Sequence, residues 1–194
     1  MIDKKDITGI ILAGGKSSRM GTDKGFLKLN KKHFVQYSIE ALQPLVSNII
    51  IVSDNSDYDV FGYKRVNDVI KHTGPVSGIY SGLEASKTEY NLVLSCDIPL
   101  INSKLLQTLI NGIDNTTEVI QIESHGKTMP LIALYKKQCK NAFYKLLQSG
   151  ERRLRIVVNN CHVKNISLDL EDDIYTKNIN TKEELKQIEN VYNH

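Results

Sequence analysis

The chain has 194 residues, 41% hydrophobic, 24% charged and only 4 Pro, a balance that excludes a disordered or fibrous protein and suits one domain over 1–194. A net charge of +3 is too mild to argue for nucleic acid as a partner. No stretch approaches the roughly 20 apolar residues of a membrane helix, and the amino-terminal lysines stand among acids before a short apolar run with no cleavage site, so a soluble cytoplasmic protein is expected.

The first strand-length apolar run is "ITGIILA", residues 7–13, and the loop "LAGGKSSRMGTDKG", residues 12–25, continues from it. Gly14 and Gly15 let backbone N–H groups approach phosphate oxygens with no Cβ in the way, and a helix behind them would add its positive N-terminus. Lys16 and Arg19 can hold outer phosphates, and Lys24 can reach further along a triphosphate. The plainer reading is a glycine-rich strand-to-helix turn with exposed cations. It does not account for this spacing of glycines and cations directly after a strand. The loop is neither a Walker A sequence nor G-x-G-x-x-G.

Val35, Ile39 and Leu42 share a helical face before Pro44, and "NIIIVS" follows as a second strand. The segment "YKRVND" ends at Asp68. Residues 72–86, "HTGPVSGIYSGLEAS", carry Gly74, Gly78 and Gly82 at four-residue intervals, where a glycine-lined helix start lets a flat base lie close to the backbone. Close packing of helix on sheet is the alternative, and for Gly82 it is preferred. The run "LVLSCDIP" places Asp97 at the carboxyl end of a buried strand, suited to Mg²⁺, which takes oxygen ligands together with substrate phosphates. A helix cap is the other use for such a residue, but Asn102 and Ser103 stand closer to the next helix.

That helix has Leu105, Leu106, Leu109 and Ile110 on one face, and "VIQI" and "PLIALY" are further strands. "SGERRLR" offers Arg152, Arg153 and Arg155 beside Gly150, either a solvated helix face or a cradle for an anionic second substrate. In "NTKEELKQIENVY", Thr181 and Glu184 form a capping box before a stripe of Leu185, Ile188 and Tyr192. Cys96, Cys139 and Cys161 are widely spaced and form no CxxC pair, so buried thiols are expected rather than disulfides or zinc. Strand and helix alternate, which predicts an α/β fold with an open, mostly parallel sheet whose ligands lie outside the strands' carboxyl ends.

At these residues the chain resembles nucleotidyltransferases with the fingerprint L-x-G-G-x-x-x-R-M-G-x-x-K. Among them it is most similar to the molybdenum cofactor guanylyltransferase family, through "LAGGKSSRMGTDKG", "GPVSGIYSGL", "SCDIPLI", "GERR" and "NINTKEEL" in that order. The resemblance implies a Rossmann-like three-layer sandwich of the nucleotide-diphospho-sugar transferase type. It also implies Mg²⁺-dependent transfer of GMP from GTP to the terminal phosphate of molybdopterin, and transient contact with molybdoenzyme maturation proteins is a further expectation. By the same resemblance Leu12, Ala13 and Gly14 would meet the guanine nucleotide, Lys24 would neutralise phosphates, Asp68 would contact the nucleotide, and Asp97 would bind nucleotide and Mg²⁺. Where the family often has Asn at the end of the second strand this chain has Val52, leaving Ser53 or Asp54 as substitutes. A CTP-using transferase acting on molybdopterin or another phosphorylated acceptor, and a GTP-binding scaffold, are the alternatives.

Overall fold

The computed structural model describes residues 2–14, 23–70 and 73–192. In chain order the elements are β1 (Ile7–Leu12), β2 (Lys28–Leu29), β3 (Lys32–His33), α1 (Phe34–Leu42), β4 (Asn48–Val52), β5 (Lys64–Val66), α2 (Pro75–Ala85) and β6 (Tyr90–Ser95). Then come α3 (Ser103–Asn111), β7 (Val119–Ser124), β8 (Lys127–Lys136), α4 (Cys139–Gln148), α5 (Leu154–Val158), β9 (Val163–Ser167) and α6 (Lys182–Tyr192).

Seven strands form one sheet in the order β5-β4-β1-β6-β8-β7-β9. β1 pairs in parallel with β4 on one side and β6 on the other, with Ile10 opposite both Ile50 and Val93. β8 is antiparallel to both of its neighbours, so six of the seven strands run the same way. The consecutive apolar residues of β1 and β6 are explained by cover on both faces. Ile7 and Ile11 face the layer of α1 and α3, whereas Ile10 faces α2, α4 and α5. A smaller cluster of Leu29, Phe34, Leu100, Ile179 and Ile188 seats α6.

The periodicities expected for α1 and α3 are met: Val35, Ile39, Leu42, Leu105, Leu106 and Leu109 are all buried. Asn102 caps α3 by accepting from the Leu105 amide, and Thr181 and Glu184 form the expected capping box at α6. The side chain of Tyr192 lies outside the described residues. Three free, buried cysteines agree with the reading of their spacing.

Two expectations are corrected. Among the described residues, the α-helix that follows the glycine loop begins only at Phe34. Asp23 caps a single 3-10 turn, Lys24–Phe26, and the chain then doubles back through the β2–β3 pair, with Asn30 and Lys31 at positive φ. β9 had no counterpart among the predicted strands because only Val163 and Ile166 are apolar in it, and both are only half-buried.

Candidate active site

The parallel strands β1, β4, β5 and β6 deliver their carboxyl ends to one edge of the sheet. Leu12 to Gly14, Ser53, Asp68 and Asp97 therefore share it. β1 lies where the connections change direction, toward β4 and β5 first and then back to β6, which is where α/β sheets hold ligands. The buried Ala13 amide donates to Val52 O at 3.0 Å, so the turn after β1 is tied to the β4 edge. Gly14 is exposed and has φ +145°, a conformation that favours glycine. Gly15, Lys16 and Arg19 lie outside the described residues.

Lys24 and Asp97 meet across this edge. Lys24 Nζ donates to Asp97 Oδ2 at 2.9 Å and also to Asn180 Oδ1. The Ser95 hydroxyl donates to Asp97 Oδ1 at 2.6 Å, and the Ile179 amide donates to the Asp97 carbonyl at 2.9 Å. Asn180 was not anticipated as a site residue. It is set in place by Glu184, whose carboxylate accepts from the Asn180 and Thr181 amides, so the capping box of α6 also delivers a polar group to the site. A strong helix-start signal immediately after Asn180 was the available clue.

As a ligand set for a metal, this is one carboxylate with an amide and a hydroxyl beside it. No group of three or more His, Cys, Asp or Glu that could hold a metal occurs among the described residues. Such a set fits a hard cation that keeps waters and takes further oxygens from phosphates, and it does not fit a zinc site.

Asp68 occupies the other flank, against α2. Its Oδ1 is buried and has no hydrogen-bond partner among the described residues. Burial first, then the charge of Asp54, push its pKa up to about 6, while the Ser77 hydroxyl offsets this in part. Gly78 lies between Asp68 and β1: a Cβ there would sit 3.2 Å from Leu12 Cδ2 and 3.6 Å from Asp68 Oδ1. Gly74 caps α2 with φ +69° ahead of Pro75. Gly82 has the packing role preferred for it, since a Cβ would lie 2.5 Å from Ile10 Cγ2. Of the two substitutes for the missing family asparagine, Ser53 Oγ accepts from the Asn55 amide, and Asp54 accepts from the Asp68 amide.

A cavity of about 1070 Å³ opens beside Asp97, with Ile98 and Asn178 in its wall. The β7–β8 hairpin, the start of α5 and the turn 173–177 form the rest. The hairpin register jumps between Gln121 and Ile122, leaving Pro130, Leu131 and Ile132 without β7 partners, and Pro130 has no amide to give to the ladder. The turn is pinned to the hairpin by Asp173, which accepts from Ser124 Oγ and lies 2.6 Å from His125 Nε2. Arg153 lines the cavity and pairs with Glu151 at 2.6 Å. Arg152 is exposed and is not among the lining residues, while Lys127, Arg155 and Lys177 are. The GERR turn itself is present, with Gly150 at φ +82°.

Comparison with known proteins agrees with this geometry. The MobA-like NTP transferase domain matches residues 9–164. A protein of Flavobacterium johnsoniae named "Probable molybdenum cofactor guanylyltransferase" is 33% identical over 94% of this chain and 96% of its own length. The molybdenum cofactor guanylyltransferase of Vibrio vulnificus is 32% identical over 92% of each. In fold, the chain is similar to molybdopterin-guanine dinucleotide biosynthesis protein A of Archaeoglobus fulgidus, with TM-score 0.80 at 19% identity over 96% of this chain and 98% of that one. With the domain matched over most of its length and relatives alike from end to end, the chain belongs to the MobA-like nucleotidyltransferases, within the molybdenum cofactor guanylyltransferase family.

Proposed function

We propose that the protein transfers GMP from GTP to the terminal phosphate of molybdopterin and releases pyrophosphate, in the cytoplasm. The observation that carries the choice of base is Asp68 Oδ1, which has no partner among the described residues and lies beside Gly78 and Leu12. A carboxylate there can accept from the adjacent N1–H and N2 amino group of guanine. Cytosine has acceptors at N3 and O2 beside its one amino group, and would leave that carboxylate badly matched.

Lys24 is already aimed at the sheet edge, and its ammonium can exchange Asp97 for nucleotide phosphate when the substrate arrives. Asp97, supported by Ser95, is the residue that would hold Mg²⁺, and the bound ion supplies positive charge against the phosphates. An oxygen of the acceptor phosphate forms a bond to the α-phosphorus as the bond to the β-phosphate bridging oxygen breaks. The acceptor is ionised at neutral pH, so no side chain need take a proton. Positioning and charge neutralisation carry the rate. The cavity beside Asp97 suits the pterin: it is largely apolar, with cations from Arg153 and Arg155 and a buried acceptor, Asn178 Oδ1, that has no partner among the described residues.

The test is to offer each of the four nucleoside triphosphates with Mg²⁺ and molybdopterin and to measure pyrophosphate release. GTP should be strongly preferred. Equal or greater turnover with CTP would transfer the assignment to a cytidylyltransferase, and nucleotide binding with no turnover would point to a scaffold.

A further inference from the structure

Lys24 does its work from a one-turn 3-10 helix, and a turn of three residues has little stability of its own. Something must hold it. Asp23 caps the turn through Oδ1, which accepts from the Gly25 amide at 3.1 Å, and the same oxygen accepts from the Tyr58 hydroxyl at 2.5 Å. Asp23 Oδ2 lies 3.4 Å from Asn55 Nδ2. Tyr58 is fully buried, in the 3-10 segment Ser56–Phe61 that follows β4. Its ring centroid lies 4.6 Å from that of Phe26, the last residue of the Lys24 turn, and Phe26 packs in turn on Phe61.

Gly25 completes the joint. A Cβ at this residue would stand 2.1 Å from the Tyr58 hydroxyl oxygen, so only glycine lets the phenol reach the cap. The ring and the hydroxyl together demand the glycine, since Tyr58 Cε1 and Cζ would also lie 2.9 Å from that Cβ, whereas the carboxylate answers the hydroxyl alone. Burial, with Cys96 and Asp23 adding to it, holds the phenol pKa far above its ordinary value, so the hydroxyl remains a donor.

We propose that Tyr58 is a positioning residue for nucleotidyl transfer: with Asp23 it fixes the Lys24 turn to the β4 edge so that the ammonium spans the crevice to Asp97. The inference rests on the transfer reading above. Lys24 is held from both ends, its backbone by Tyr58 and Asp23 and its ammonium by Asp97 and Asn180. When phosphates replace Asp97 at the ammonium, the backbone mount and Asn180 remain to keep it aimed.

The experiment is a double-variant cycle on the full chain. Tyr58→Phe keeps the ring and removes the hydroxyl, and Asp23→Ala, at a partly exposed position, serves if the first does not fold. With Mg²⁺, GTP and molybdopterin, either variant should lower kcat about tenfold or more while KM for GTP moves by less than about threefold. In a Lys24→Ala background the same change should cost less than about twofold, because two residues acting through one ammonium are not additive. An unchanged kcat per folded molecule, or a loss that multiplies with that of Lys24→Ala, overturns the proposal. A second readout needs no substrate: the Lys24 Cε resonance in ¹³C-lysine-labelled protein, assigned by its loss in Lys24→Ala, should shift in Tyr58→Phe. If the wild-type chain released no pyrophosphate, the transfer reading would fall, and an unshifted resonance would then overturn the mount by itself.

Discussion

Lys24 and Asp97 are 73 residues apart along the chain, yet the ammonium of one sits 2.9 Å from the carboxylate of the other. Each neutralises its partner in a place where an unpaired charge would be costly, since the side chain of Asp97 is only 12% exposed. Nucleotide phosphate and a cation can each replace one half of the pair. Asp97→Asn should retain the fold and reduce kcat by roughly 10²-fold or more, as expected for removal of a charged group at the reacting centre. Lys24→Ala should lower kcat more than it raises the dissociation constant of GTP, because charge builds on the transferring phosphate. A folded Asp97→Asn variant with a normal rate of pyrophosphate release would exclude Asp97 from the reaction.

Asp68 predicts a pH dependence. Its pKa, raised to about 6, means that the folded protein holds this proton more tightly than the unfolded chain does. The group therefore favours the fold below the ordinary carboxylate pKa, and that contribution is lost as pH rises through about 6. Guanine requires the ionised form, so GTP affinity should fall as pH drops below 6, approaching tenfold per unit if only that form binds. Asp68→Asn should remove the pH dependence and weaken GTP binding. It should also stabilise the unliganded chain at pH 7 by on the order of 1 kcal/mol, a figure already discounted for partial exposure. Titration calorimetry across pH and thermal melts of both proteins check the two halves separately.

The two arginines of the GERR turn should behave differently. Arg153 faces the large cavity and Arg152 does not line it. Arg153→Ala should weaken molybdopterin binding about tenfold, in line with loss of one charge-assisted contact, and leave GTP affinity unchanged. Arg152→Ala should change neither. Equal losses from both variants would mean that the acceptor sits over the exposed turn rather than inside the cavity.

Glycines 78 and 82, one helical turn apart, separate site from scaffold. Gly82→Ala drives a methyl to 2.5 Å from Ile10 Cγ2 in the core and should cost roughly 1–3 kcal/mol with GTP affinity intact. Gly78→Ala meets Leu12 at 3.2 Å and Asp68 at 3.6 Å, so its main effect should be on GTP binding. Urea melts and calorimetry on the two variants should give opposite rankings of damage.

What the sequence determined by itself is whatever depends on neighbours along the chain. Runs of consecutive apolar residues announced β1, β4 and β6 as strands covered on both faces, and capping residues marked the starts of α3 and α6. Once β1, β5 and β6 are parallel, Leu12, Gly14, Asp68 and Asp97 must reach the same edge, because each lies at or just past the carboxyl end of one of them. Tertiary structure decided what depends on residues far apart. Asn180 reaches Lys24 across 156 positions. Nothing in "NINTKEEL" states which strand end α6 packs beside. The cavity between the β7–β8 hairpin and α5, and the weakly apolar β9, each arise from contact with a distant partner, which leaves no periodic trace. The same holds for Gly25 and Tyr58. A glycine after Lys24 looks like an ordinary turn residue until the buried phenol that occupies its side-chain space is seen.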